Sequence, residues 1–162
     1  MNRLLCPGVL AVALAGCPSG AGDEPLEASD WVLWSLADRI EEEPNDEVPE
    51  ELGTLELPFV LAGTSSACSR DGTWEGADED RFAFRFDGDV RLRLRLRARG
   101  ADMDLELFTP EGDLLVEAVS QGVEDEEMDV ALSGGLPYSV RVRCWLGGDP
   151  GWMLAFLDRD GD

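Results

Sequence analysis

Beyond Glu51 the side chains alternate between apolar and polar, and that period of two restricts the fold more than any other feature of the chain. Phe82, Phe84 and Phe86 alternate with Ala83 and Arg85. Val90, Leu92, Leu94, Leu96 and Ala98 alternate with five arginines, Arg91, Arg93, Arg95, Arg97 and Arg99. Met103, Leu105 and Leu107 alternate with Asp104 and Glu106; Met128, Val130 and Leu132 follow, then Tyr138, Val140, Val142 and Cys144. Turn-forming clusters part these runs at Asp87-Gly88-Asp89, at Gly100-Ala101, across residues 109–113, at Gly134-Gly135 and across residues 147–151. Seven or eight short strands at this spacing predict an all-β, antiparallel β-sandwich in which each sheet has one apolar and one wet face. Residues 152–157 are apolar at nearly every position, as expected of a closing strand covered on both sides.

The arginine stripe stands out in a chain with net charge −22, 35 acidic residues and only 13 basic ones, all of them arginine. A polyanion partner is the obvious reading of such a stripe, but the overall negative field repels nucleic acid and anionic lipid alike. A local explanation suffices. If Gly100 and Ala101 form a two-residue hairpin turn, Arg99 pairs with Asp102, Arg97 with Asp104 and Arg95 with Glu106, while Ala98, Leu96 and Leu94 meet Met103, Leu105 and Leu107 on the other face. If the two runs lie in different sheets, Glu127 and Asp129 are the alternative acidic partners. Either way the stripe is the charged outer face of a strand, and alternating charge discourages edge-to-edge stacking.

The N-terminus carries an address. Residues 1–16 (MNRLLCPGVLAVALAG) hold one positive charge, Arg3, and an apolar run too short to span a bilayer permanently, which reads as a removable signal peptide. Leu14-Ala15-Gly16-Cys17 is similar to the lipobox of bacterial lipoproteins, which predicts cleavage before Cys17 and lipidation of its sulfur; an ordinary secretory signal that happens to contain a cysteine is the alternative. Acyl chains contribute about 0.8 kcal/mol per buried methylene, so two or more anchor stably. The protein is therefore expected to be exported and lipid-anchored in the bacterial cell envelope, with Pro18 after the cysteine favouring the outer membrane. Residues 17–38 hold the anchor and a small, polar tether. Residues 30–40 (DWVLWSLADRI) suit a short helix capped by Asp30 and equally a strand; this Trp-rich stretch is expected to pack against the domain, with the membrane interface as the alternative. Residues 39–162 form the sandwich domain. Export also bears on the cysteines: with Cys6 removed and Cys17 acylated, Cys68 and Cys144 remain, and they are expected to form a disulfide rather than a metal or redox site. Two separately buried thiols are the alternative.

Four short motifs in order carry a family resemblance. Glu41-Glu42-Glu43-Pro44-Asn45-Asp46 resembles the E-x-E-P-N-D opening of the bacterial pre-peptidase C-terminal (PPC) domain. Asp78-Glu79-Asp80 before Phe82-Ala83-Phe84 matches the family's D-x-D and aromatic strand; Asp104-Leu105-Glu106-Leu107 running to Gly112 matches its D-L-x-L and glycine turn; Gly135 with Tyr138, Val140 and Val142 matches its last strand. The resemblance implies a jelly-roll-like β-sandwich, in agreement with the periodicity. PPC domains accompany secreted peptidases, and no peptidase sequence stands within these 162 residues, so the resemblance implies an accessory or protein-interaction domain. The related collagen-binding modules of bacterial collagenases hold calcium through acids of these same motifs. That implies a structural calcium site from Glu41, Glu43, Asn45, Asp46 and Asp80, with oxygen donors of the kind calcium takes six to eight of at about 2.4 Å. Where that branch has a further acid this chain has Ala77, and Asp78 or Glu75 would substitute. A solvated acidic linker, with Asp80 capping a strand, is the alternative reading of the cluster.

Enzymatic chemistry has little to work with. Histidine and lysine are absent, removing the commonest general base and the Schiff-base amine. Ser65, Ser66 and Ser69 have no base near them in sequence, and no nucleophile elbow or phosphate-cradling loop appears. The expectation is a non-catalytic, membrane-anchored envelope lipoprotein whose partner is another envelope or extracellular protein and not a nucleic acid. The alternative is a calcium-dependent adhesion module for polysaccharide or extracellular protein, for which Trp74, Trp145 and Trp152 are the candidate stacking residues.

Overall fold

A computed structural model describes residues 37–69, 77–148 and 150–160. Residues 1–36, which hold the expected signal peptide, Cys17 and most of the tether, lie outside the described residues, as do Trp74 and Glu75; of the 30–40 stretch, Arg39 and Ile40 are strand. The described residues form ten strands: β1 (Arg39–Ile40), β2 (Glu50–Thr54), β3 (Phe59–Thr64), β4 (Glu79–Arg85), β5 (Val90–Ala98), β6 (Asp102–Phe108), β7 (Leu114–Ala118), β8 (Glu126–Leu132), β9 (Tyr138–Leu146) and β10 (Gly151–Asp158). They form two five-stranded sheets, β1-β3-β10-β5-β8 and β2-β4-β9-β6-β7, below called the first and second sheet. The all-β sandwich is as the periodicity requires. Among the described residues the strand count is ten rather than seven or eight, and two pairings are parallel rather than antiparallel, β1 with β3 and β2 with β4. Both parallel pairs involve short, acid-flanked segments at sheet edges, where little hydrophobic alternation exists to be read.

Alternation places one side of every long strand in a shared core. Leu92, Leu94 and Leu96 of β5 are at most 1 % exposed and face the opposing layer of Phe82, Phe84, Leu105, Leu107, Val140 and Val142. Aromatic rings pack edge-on across it: Phe84 lies 5.1 Å from Phe156 and 5.7 Å from Phe86, and Phe82 lies 5.7 Å from Trp152, centroid to centroid. Cys68 and Cys144 are joined in a disulfide with Cα atoms 4.6 Å apart, tying the segment after β3 to β9 across 76 positions of sequence.

The β5–β6 hairpin expected from the charge pattern does not form. Gly100 adopts φ 67° and Ala101 is buried, and the chain there passes from the first sheet to the second, so β5 and β6 lie in opposite layers. The arginines of β5 take the other partners: in register Arg93 opposes Asp129 and Arg95 opposes Glu127 on β8. Arg93 Nε donates to Asp129 at 2.9 Å, Arg95 and Arg97 converge on Asp125, and Arg91 approaches Asp160 at 3.7 Å. Asp104 and Glu106 of β6 instead oppose Arg143 and Arg141 of β9. Both arrangements match charge and alternate correctly, so pairing chemistry could not choose between them; the crossing at Gly100 and Ala101 does.

The two outer faces differ in depth. On the second sheet Glu106 takes hydrogen bonds from both Arg141 and Arg143 at 2.5 Å, with its side chain only 7 % exposed, and Arg141 also lies over the Phe108 ring. The Arg91–Asp160 pair on the first sheet is exposed at both ends. Removing Glu106 leaves two largely buried guanidiniums short of their main partner. Glu106→Ala is therefore expected to lower unfolding stability by about 3 kcal/mol, and Arg91→Ala to change it by less than about 1 kcal/mol. Urea midpoints of the two variants check this ordering.

Candidate metal centre

The acidic motif residues converge where the edges of the two sheets meet. β1 delivers Glu41 as it leaves the first sheet, the 41–49 segment carries Glu43, Asn45 and Asp46 across to β2, and Asp78 and Asp80 arrive at the start of β4. Glu41, Glu43 and Asp80 each place a carboxylate oxygen within 4.8 Å of the others. Asp46 and Asp78 stand at the margin: Asp46 Oδ1 accepts from the Glu79 N–H at 3.2 Å, and Asp78 accepts from the Ser66 N–H.

The two inner carboxylates, Asp80 and Glu41, are each half satisfied, while Glu43 is exposed at the lip. Asp80 is fully buried; its Oδ2 accepts from the Trp152 indole N–H at 2.9 Å and from the Ser65 hydroxyl at 3.4 Å, while Oδ1 has no partner. Glu41 Oε1 accepts from the Thr64 N–H, and Oε2 is buried without a partner. Asn45 is 1 % exposed, yet neither its amide oxygen nor its nitrogen is hydrogen-bonded, although its backbone N–H reaches Glu43 at 3.1 Å. Leaving a buried polar atom unpaired costs about 1–3 kcal/mol, so several such atoms in one place need an explanation.

Electrostatics sharpen the question. Burial, reinforced by Glu41, Asp78 and Glu43, pushes the Asp80 carboxyl up to about 9. Burial likewise raises Glu41 to about 7, against the stabilising Thr64 N–H, and shifts Glu43 and Asp78 upward from their ordinary values, with neighbouring carboxylates adding to it. No arginine among the described residues forms an ion pair with any of these four groups; the two nearest in sequence are engaged elsewhere, Arg39 with Glu50 at 2.5 Å and Arg81 with Glu79 at 2.7 Å. Such a cluster holds protons or a cation. Three close carboxylates and an amide oxygen, with no sulfur or imidazole, form a hard-oxygen set suited to calcium. Glu41, Glu43, Asn45 and Asp80 fit that role, with Asp46 and Asp78 completing the acidic rim.

The motif did not reveal what holds the cluster in place. Trp152 comes from β10, 72 positions after Asp80, and Thr64 and Ser65 from the end of β3. Gly63 is the space they share: a Cβ there would lie 2.2 Å from Trp152 Cζ2 and 2.5 Å from the Glu41 carboxyl carbon. The signal available in sequence was a lone glycine inside a strand pattern, a mark of close approach. Gly63→Ala is expected to destabilise the fold by about 1–3 kcal/mol through overpacking, since the buried indole has nowhere to go. Gly88→Ala, with nothing within 4 Å of the added carbon, serves as the near-neutral control in the same denaturation series.

No family model and no curated protein matches the sequence. Solved structures do. The pre-peptidase C-terminal domain of a collagenase from Bacillus anthracis superposes with a TM-score of 0.51 at 17 % identity, covering 72 % of this chain and 99 % of that one. A periplasmic inhibitor of g-type lysozyme from Aeromonas hydrophila follows at a TM-score of 0.37 and 8 % identity, over 67 % of this chain and 99 % of that one. With four sequence motifs in family order and a structural match across the whole of the collagenase domain, the chain has the fold of a pre-peptidase C-terminal domain.

Proposed function

We propose that this protein is a non-catalytic, calcium-stabilised accessory module, held on the bacterial envelope by lipid on Cys17, that docks onto another envelope or extracellular protein. The observation that carries the calcium part is the meeting of Glu41, Glu43 and Asp80 beside Asn45, whose buried amide has no partner. The accessory part is supported by the shared fold with a domain of a collagenase and by the absence of histidine and lysine from the sequence. The adhesion alternative has less support: Trp152 is wholly inside the core, bound to Asp80, leaving Trp145, 36 % exposed, as the stacking candidate among the described residues. Pull-down of the acylated protein from its own envelope, with and without calcium, tests the partner. Recovery of polysaccharide in place of protein would favour the adhesion reading.

When bound, calcium supplies positive charge that lets adjacent carboxylates ionise together. The chain's part is to hold those carboxylates together, with Asp80 and Glu41 fixed by the Trp152, Ser65 and Thr64 hydrogen bonds and Glu43 at the exposed lip. Calcium is expected to raise the melting midpoint above its value in EDTA, and Asp80→Asn to abolish that rise. An unchanged midpoint in the parent protein rules the site out.

A pH dependence follows from the same carboxylates. Their folded pKa values lie above the unfolded ones, so the folded chain keeps protons that the unfolded chain has released. In EDTA their contribution is therefore fully present below about pH 4 and declines as pH rises toward about 9, the window spanned by Glu41 at about 7 and Asp80 at about 9. Because calcium displaces those protons, the gap between the calcium and EDTA midpoints is expected to widen across the same range. Melting curves at a series of pH values measure both slopes, and Asp80→Asn should flatten them.

A further inference from the structure

The outer face of the first sheet changes character from one side to the other. β5 and β8 present arginines and acids outward, but β3 and β10 present Val60, Met153, Ala155 and Leu157. These four, with Arg95 and Arg97 along one side, line a shallow cleft of about 180 Å³. Arg95 and Arg97 converge on Asp125, so their aliphatic stems border the cleft while their charged ends are held to one side.

The described chain enters the fold beside this cleft. Asp38 is fixed to Val60 twice: its backbone N–H donates to the Val60 carbonyl at 2.8 Å, and its carboxylate accepts from the Val60 N–H at 2.8 Å. β1 lies next to β3, and β3 next to β10, so the middle of the cleft is two strand spacings from Asp38, about 10 Å. Immediately before Asp38 the sequence reads Trp31-Val32-Leu33-Trp34-Ser35-Leu36-Ala37. Six residues reach up to about 20 Å when extended, enough to lie over all four apolar residues. We propose that the segment 31–36 docks on this cleft in its own chain, seating indole rings on Val60, Met153, Ala155 and Leu157 against the Arg95 and Arg97 stems.

Three observations select this occupant. The apolar outer strip is confined to the two strands nearest the point of entry, the segment is the most apolar stretch between the acidic tether and β2, and indoles suit a site walled by arginine. Docking would also cover the outer side of β10, whose sequence is apolar on both faces.

Tryptophan fluorescence on the full chain tests this, with Trp74→Phe and Trp145→Phe introduced so that Trp31, Trp34 and the core Trp152 remain. A docked segment gives blue-shifted emission and weak acrylamide quenching. Leu157→Asp is expected to shift the emission red and raise quenching severalfold; Ala155→Arg is the second variant, should the first disturb folding. The same cleft variants carrying Trp31→Phe and Trp34→Phe report Trp152 alone, and its unchanged protection shows that the sandwich is intact. Solvent-like emission in the parent, or emission indifferent to both cleft variants, overturns the proposal. So does protection that appears only with phosphatidylethanolamine–phosphatidylglycerol vesicles, or protection that is lost on dilution, which assigns the cleft to a second copy of the chain.

Discussion

The Trp152 indole is where the apolar core and the acidic site become one structure. Its ring packs edge-on against Phe82 between the sheets, and its N–H leaves the core to reach Asp80. Only a glycine at position 63 lets the ring and the Glu41 carboxylate approach the β3 backbone together. A buried carboxylate is costly unless it is hydrogen-bonded and its charge is met. The indole and the Ser65 hydroxyl supply hydrogen bonds to Asp80, and the Thr64 N–H supplies one to Glu41; the proposed calcium would meet the charge. Core packing and the geometry of the acidic cluster are thereby linked: whatever moves Trp152 moves Asp80.

The charge of the rest of the molecule is arranged in the opposite way. A net charge of −22 would spread repulsion across a small sandwich, yet the β5 arginines are set against acids of β8 and its preceding turn, and those of β9 against acids of β4 and β6. Glu106 sits between Arg141 and Arg143 with little exposure, whereas the Arg91–Asp160 pair lies open to solvent and is worth little. The arginine stripe is therefore half of a ladder across a sheet, and the feature that most suggested a polyanion partner is absorbed by the protein's own carboxylates. Glu41, Glu43, Asp78 and Asp80 form no ion pair with any arginine among the described residues and stand close to one another, which gives that place, among so many carboxylates, the character of a site.

Much of this was legible before any coordinates. Leu92, Leu94 and Leu96, Phe82, Phe84 and Phe86, and Val140 and Val142 all lie inside, where their alternation puts them. Glu41, Glu43 and Asp80, which the motif resemblance singled out, lie close together, and Cys68 and Cys144 are bonded as cysteine counting expected. The partner of β5 was not legible. Asp104 and Glu106 on one side, and Glu127 and Asp129 on the other, offer the same charges at the same period, so local chemistry is degenerate between them. The supports of the acidic cluster were hidden for a related reason: a glycine in β3 and a tryptophan in β10 carry no mark that they will meet a carboxylate at the start of β4.

Sequence alone determined the layered, extended architecture, because a period of two leaves a chain no other way to hide one face and wet the other. It also determined the oxygen-rich chemistry of the acidic segment, because residue type sets which ligands a group can offer. Tertiary structure decided which strands became neighbours and which carboxylates lost their water. Both depend on contacts between segments far apart in the chain, where one crossing at Gly100 and Ala101 reassigns every partner of a strand, and where the close approach of Trp152 to Gly63 sets the burial of Asp80.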